Sequence, residues 1–110
     1  MTTTQQAQQA PARDISATAM AFQTIATDTE RRIIEVGPDA IASAEKMVDL
    51  TSSEWVEFGP YPSLLTASGI IDADLGNVLH RIHTNWHGDA TLGEKYSFMV
   101  AMNDLLPKLF

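Results

Sequence analysis

The chain of 110 residues contains no cysteine, and this absence excludes several classes of protein at once. Disulfide frameworks, thiolate catalysis and metal sites with sulfur ligands all require cysteine. No apolar run approaches the roughly 20 residues needed to cross a bilayer. The N-terminal residues, rich in threonine and glutamine, lack the basic and apolar stretches of a signal peptide. We therefore expect a cytoplasmic protein, or one assembled inside the cell into a larger particle, that has no membrane contact.

Basic residues are few, with seven lysines and arginines against fourteen aspartates and glutamates, for a net charge of −7. Because nucleic-acid binding depends on clustered positive charge, this balance argues against nucleic acid as a partner. Half of the acids have a structural explanation, since carboxylates at helix N-termini accept from free backbone N–H groups and complement the helix dipole. These acids lie at or near the predicted helix starts: Asp14, Asp39, Glu54, Asp72, Asp74, Asp89 and Glu94.

The apolar residues, 45% of the chain, recur at helical rather than alternating spacing. This pattern predicts an all-α fold: a small bundle of four to five helices in a single domain, residues 13–110. Residues 1–12 carry no apolar periodicity and predict a flexible, disordered tail. The last helix, residues 91–107, is apolar nearly all round, so we expect it to be central or to face a partner. The predicted breaks and helix starts are Gly37-Pro38, the capping boxes Thr51–Glu54 and Thr91–Glu94, Gly59–Pro62, and Asp72.

The strongest pattern is a heptad stripe along the predicted first helix, residues 14–36. We call it the inner stripe; its members are Ile15, Ala19, Phe22, Ala26, Thr29, Ile33 and Val36. At 1.5 Å per residue this helix is roughly 34 Å long, about the diameter of a compact domain of this size. Such a helix suits pairing with another helix, either inside the chain or in another subunit.

Six aromatic residues are candidates for the core or for an interface: Trp55, Phe58, Tyr61, Trp86, Tyr96 and Phe110. Most aromatic residues of a small domain are buried, and we expect Trp86 in the core. Tyr61 and Phe110 are the better interface candidates: Tyr61 lies between two prolines, and aromatic residues near such breaks can be centres of an interface, where tyrosine and tryptophan are enriched.

The three histidines, His80, His83 and His87, fall within eight residues. On one helix they would share an arc of roughly 60°, and imidazole is a common ligand of zinc, copper, nickel and iron. Asp72 is over two turns away from these histidines, which leaves no obvious carboxylate to complete a ligand shell. The simpler interpretation is a wet, polar flank at the C-terminal end of a helix, where the dipole favours such groups.

No pattern in the sequence predicts catalysis or a cofactor. Glu54 and Glu57 lie one turn apart, but nothing places them in a cleft, and no serine stands in a nucleophile-elbow motif. We expect a non-catalytic helical interaction or assembly module, an accessory subunit or viral structural component, that binds itself or a larger protein through an apolar helix face. Two alternatives stay open: an acidic inhibitor of a nucleic-acid enzyme, whose carboxylates imitate phosphates, and a histidine-based metal-binding protein.

Overall fold

The computed structural model describes residues 15–110, which form six helices and no strand. The prediction of a small all-α bundle is confirmed. Four helices have ten residues or more and two have seven. The predicted tail, residues 1–12, lies outside the described residues. The helices are α1 (Ala17–Val36), α2 (Pro38–Met47), α3 (Ser52–Phe58), α4 (Tyr61–Ala67), α5 (Ala73–Thr84) and α6 (Leu92–Leu109).

Three of the predicted helix starts are confirmed in atomic detail. The Thr51 and Thr91 hydroxyls accept from the N–H groups of Glu54 and Glu94, and each glutamate accepts from the backbone N–H of its threonine. Both capping boxes are therefore closed. Asp72 caps α5 by accepting from the Leu75 N–H at 2.8 Å. These polar side chains accept from the first backbone N–H groups of each helix, which have no partner within the helix itself.

The first helix begins later than its predicted start at Asp14, a residue that lies outside the described part of the chain. Its N-cap is Ser16, whose side chain accepts from the Ala19 N–H at 3.2 Å. The predicted end is confirmed: Gly37 has φ of 121°, which a residue with a Cβ rarely adopts, and Pro38 opens α2.

Proline has different effects at its two predicted breaks. Pro60 stands between α3 and α4, and Pro62 fits the first turn of α4 because the N–H it lacks would have no partner there. The expected stop at Pro107 is wrong, since α6 continues to Leu109. Pro107 lies in the final turn and has no N–H to donate to the carbonyl of Asn103. Both residues are exposed, so water can reach that carbonyl instead.

The fifth helix ends at Thr84, before the predicted end near Gly88. Asn85 terminates it by donating from its side-chain amide to the Arg81 carbonyl at 3.1 Å. The Gly88 N–H then bonds the Asn85 carbonyl at 2.8 Å, which closes a turn. The chain between Thr84 and α6 is therefore a series of turns and not a continued helix.

The core surrounds α6, which packs against α1, α2, α4 and α5. This confirms the central position predicted from its apolar surface. Phe98 and Met102 of α6 are fully buried, and Trp86, predicted as core, donates from Nε1 to the Val48 carbonyl at 3.2 Å. The other buried apolar residues include Leu65, Ile71, Val78, Leu79 and Ile82.

The most extensive contact between helices is that of α1 with α6, and it depends on Gly93. A Cβ at Gly93 would lie 2.4 Å from the Ala26 carbonyl oxygen, so only glycine allows this approach. The Gly93 N–H donates to Oε1 of Glu30 at 2.6 Å. Glu30 thus reaches across from α1 to satisfy a free donor at the start of α6.

A second polar connection ties the start of α1 to the start of α5. The Ser16 hydroxyl donates to Asp72 Oδ1 at 3.0 Å, the Ser16 N–H donates to Asp74 Oδ2 at 2.9 Å, and Thr18 donates to Asp72. The hydrogen bond from Thr18 to Asp72, followed by those from the Leu75 N–H and the Ser16 hydroxyl, lowers the pKa of Asp72 below its ordinary value. None of the helices in the described part of the chain combines the length and apolarity needed to span a bilayer.

Candidate functional site

The structure divides the inner stripe between core and surface. Ala19 and Ala26 are 0% and 3% exposed inside this single chain, where α1 packs on α6. As interface candidates these two alanines are therefore wrong, because the chain itself covers them. Of the two pairings left open by the sequence, the internal one holds along this part of the helix.

The other members of the inner stripe lie nearer to solvent. Phe22 and Ile33 are half-buried, and Ile15, before the start of α1, is 46% exposed. Val36 is 77% exposed in the single chain, so the internal pairing with α6 does not cover it. A heptad repeat drifts by roughly 20° per heptad on a straight α-helix. Over the three heptads from Ile15 to Val36 this drift turns the last member out of the contact with α6.

A second line of residues follows α1 beside the inner stripe, and it faces solvent. We call Ile25, Asp28, Arg32 and Val36 the outer flank. At 100° per residue they fall within an arc of about 80°. All four are exposed, and Ile25 is 57% exposed. The sequence pattern places two apolar side chains at the ends of this flank and two opposite charges between them.

The C-terminal half of α1 and the neighbouring α2 enclose an apolar groove with a volume of about 530 Å³. We call it the α1–α2 groove. Arg32 is its only charged lining residue, and the rest are Thr29, Ile33, Val36, Ala40, Ser43, Ala44, Met47 and Tyr96. Met47 is 45% exposed at the edge of the groove. The outer flank therefore continues into a concave apolar surface.

The charges of the outer flank differ in their partners. Asp28 accepts from the Arg31 guanidinium at 2.8 Å, and this hydrogen bond is the main cause that raises the pKa of Arg31. Arg32 makes no ion pair within residues 15–110. The groove edge thus carries a cation that is open to an acidic group from outside.

The two aromatic interface candidates lie against each other where the start of α4 meets the C-terminal end of α6. The rings of Tyr61 and Phe110 are 6.1 Å apart in an edge-to-face arrangement, and Phe58 contacts Tyr61 at 5.9 Å. Phe110 is 82% exposed, whereas Tyr61 is half-buried. The rings of Phe58 and Phe110 line a second apolar surface together with Met99 and Leu106.

The structure separates the three histidines that the sequence pattern places on one helix face. His87 lies beyond the end of α5 at Thr84, so the shared arc predicted for all three is wrong. His83 is buried, and its ring stacks on Trp55 with centroids 4.5 Å apart. Its Nε2 donates to the Trp55 carbonyl at 2.6 Å, since a carbonyl oxygen only accepts. The interpretation as a wet flank is therefore wrong for His83, which holds α3 against α5.

The remaining two histidines belong to different surroundings. The ring centroids of His87 and Trp55 are 5.5 Å apart, while the exposed His80 lines a groove with Thr66 and Asn77 between α4 and α5. Across residues 15–110 no group of three or more histidine, aspartate or glutamate side chains could hold a metal ion. The geometry gives the metal-binding alternative no ligand set.

The carboxylates are distributed as structural groups rather than as a catalytic pair. Glu54 belongs to its capping box, and the hydrogen bond from the Thr51 N–H lowers its pKa, whereas a general acid at neutral pH needs a raised one. Glu30 is also structural, because it accepts from the Gly93 N–H at the start of α6. Glu94 pairs with Arg81 at 3.4 Å besides closing its own capping box.

No known family model, curated protein or solved structure matches this chain.

Proposed function

We propose that this chain is a non-catalytic helical module that assembles with itself or with a larger protein through an apolar face of α1. The observation that carries the proposal is the exposure of large apolar residues along that helix. Among residues 15–110, ten large hydrophobic residues are exposed, and four of them lie on α1: Ile25 and Val36 on the outer flank, and Met20 and Ile34 on the other side of the buried face. A helix with one buried face normally presents polar residues on the others.

The α1–α2 groove adds a concave site to this exposed face. Val36 and Met47 stand at its edge, and Ile33 and Tyr96 are half-buried within it. Contiguous apolar surface of this kind on a soluble protein marks an interaction site. The carboxylates of Glu54, Asp72 and Glu94 cap helices and that of Glu30 connects α1 to α6, whereas the exposed apolar surface has no structural role within residues 15–110.

The proposal is tested by the native mass of the particle that contains the chain, measured in an extract of the cells that make it. We expect a particle larger than the 12.0 kDa chain. Val36→Lys places a charge in the apolar surface and should reduce that mass, while helicity persists because Val36 is 77% exposed. Thr84→Lys, at an exposed polar position at the end of α5, is the matched control and should leave the mass unchanged. A wild-type particle of single-chain mass would contradict the proposal.

A further inference from the structure

The outer flank of α1 is self-complementary when two copies of the helix run antiparallel. In such a pair, residues whose numbers have the same sum face each other across the twofold axis. The residue numbers of Ile25 and Val36 sum to 61 and those of Asp28 and Arg32 sum to 60, and this difference of one residue is an offset of about 1.5 Å along the helix. One axis therefore places apolar side chains opposite apolar ones and each carboxylate opposite a guanidinium.

From this complementarity we propose that the occupant of the outer flank is a second copy of the same chain, with the two α1 helices antiparallel. The inference rests on the proposed function and names its partner. Arg32, which has no ion pair within residues 15–110, gains Asp28 of the second copy. Asp28 then stands between Arg31 of its own helix and Arg32 of the other.

The α1–α2 groove gives the same axis a steric role. Val36 forms part of the groove, so the residue that faces it, Ile25 of the second copy, enters a space of about 530 Å³ lined by Ile33, Met47 and Tyr96. By symmetry, Ile25 of each copy enters the α1–α2 groove of the other. Ile25, which is 57% exposed in the single chain, thereby becomes buried.

A parallel arrangement makes none of these contacts. Parallel helices in register place Asp28 opposite Asp28 and Arg32 opposite Arg32, and like charges at such positions repel. The antiparallel pair involves little more than one helix and one groove from each copy. Because stable interfaces bury about 800 Å² per partner, we expect a reversible dimer that dissociates on dilution.

Single cysteines test the arrangement cleanly, because the chain has none of its own. Ile25→Cys and Val36→Cys are purified as full chains and oxidised mildly, each alone and as a mixture. Disulfides need Cα atoms within about 7 Å. The mixture should yield the 25–36 linked dimer. Each variant alone should not exceed the background of Thr84→Cys, because like positions lie about 16 Å apart along the helix at 1.5 Å per residue.

Charge reversal supplies an independent measurement on the same chains. Asp28→Arg and Arg32→Asp each create two repulsive pairs in a dimer, and each should weaken self-association on the order of 10-fold. When the two variants are mixed, every opposed pair is again of opposite sign, so the mixed dimer should recover. Dissociation constants from sedimentation equilibrium give both values.

The outcomes separate this inference from the proposed function. Linkage of 25 to 25 or of 36 to 36 in preference to 25–36 overturns the antiparallel pairing, and so does a mixture that fails to recover. If the purified chain stays a monomer while the particle in the extract is larger, self-pairing is wrong and a larger protein is the partner. If both remain single chains, the inference and the proposed function are both wrong.

Discussion

Gly93→Ala is the most direct test of how α1 and α6 pack. The added Cβ would lie 2.4 Å from the Ala26 carbonyl oxygen and 2.6 Å from the Glu30 backbone nitrogen. Ordinary contacts begin at 3.4 Å, so the two backbones must separate by about 1 Å. Neither obstacle can rotate away, because both belong to the main chain of α1.

The expected cost follows from the size of that displacement. A gap of 0.5–1 Å forfeits a quarter to a half of the dispersion energy of each contact it opens, and overpacked cores lose about 1–3 kcal/mol. The better helix propensity of alanine relative to glycine offsets up to about 1 kcal/mol of this loss in the free energy of unfolding. We expect a net loss of about 1–2 kcal/mol in the free energy of unfolding, measured by urea denaturation.

Two other glycines serve as controls for this measurement. A Cβ at Gly88 meets only the Asn85 carbonyl, at 3.8 Å, so Gly88→Ala should change the free energy of unfolding little. A Cβ at Gly76 would lie 2.2 Å from the Thr66 hydroxyl. That side chain can turn away at the loss of its bond to the Pro62 carbonyl, so Gly76→Ala should cost less than Gly93→Ala. A Gly93→Ala protein as stable as wild type would refute the close packing.

Three further predictions concern the core, the pH dependence and metal. Ala26→Glu places an unpaired charge at a site 3% exposed, so it should unfold the single chain at a cost of about 3 kcal/mol or more; a folded, equally stable variant by circular dichroism would contradict this. The pKa of Asp72 is lowered in the folded state, so its contribution is present above the ordinary aspartate pKa and is lost as the pH falls through the folded value. Unfolding measured below about pH 4 should show this loss in wild type and not in Asp72→Asn. Thermal melts with and without a strong chelator should coincide. A melting temperature that the chelator lowers in wild type, but not in His83→Ala, would instead indicate a bound metal.

Local features of the sequence determined the helices and most of their boundaries. The capping boxes at Thr51 and Thr91 and the Asp72 cap were predictable, because each depends on residues within one turn. The same holds for Gly37, whose positive φ ends α1. The central position of α6 followed from its apolar surface, since a helix that is apolar all round must be covered on most sides.

Contacts between residues distant in sequence decided the rest. Glu30 and Gly93 are 63 positions apart, and His83 and Trp55 are 28 apart, so no local pattern predicts either hydrogen bond. The sequence also could not divide the inner stripe into the buried Ala26 and the exposed Val36. That division depends on where α6 ends its contact with α1 and on the rotation of the stripe along a straight helix. Helix formation depends on neighbours in the chain, whereas burial depends on which helix packs against it, and only the tertiary structure supplies that partner.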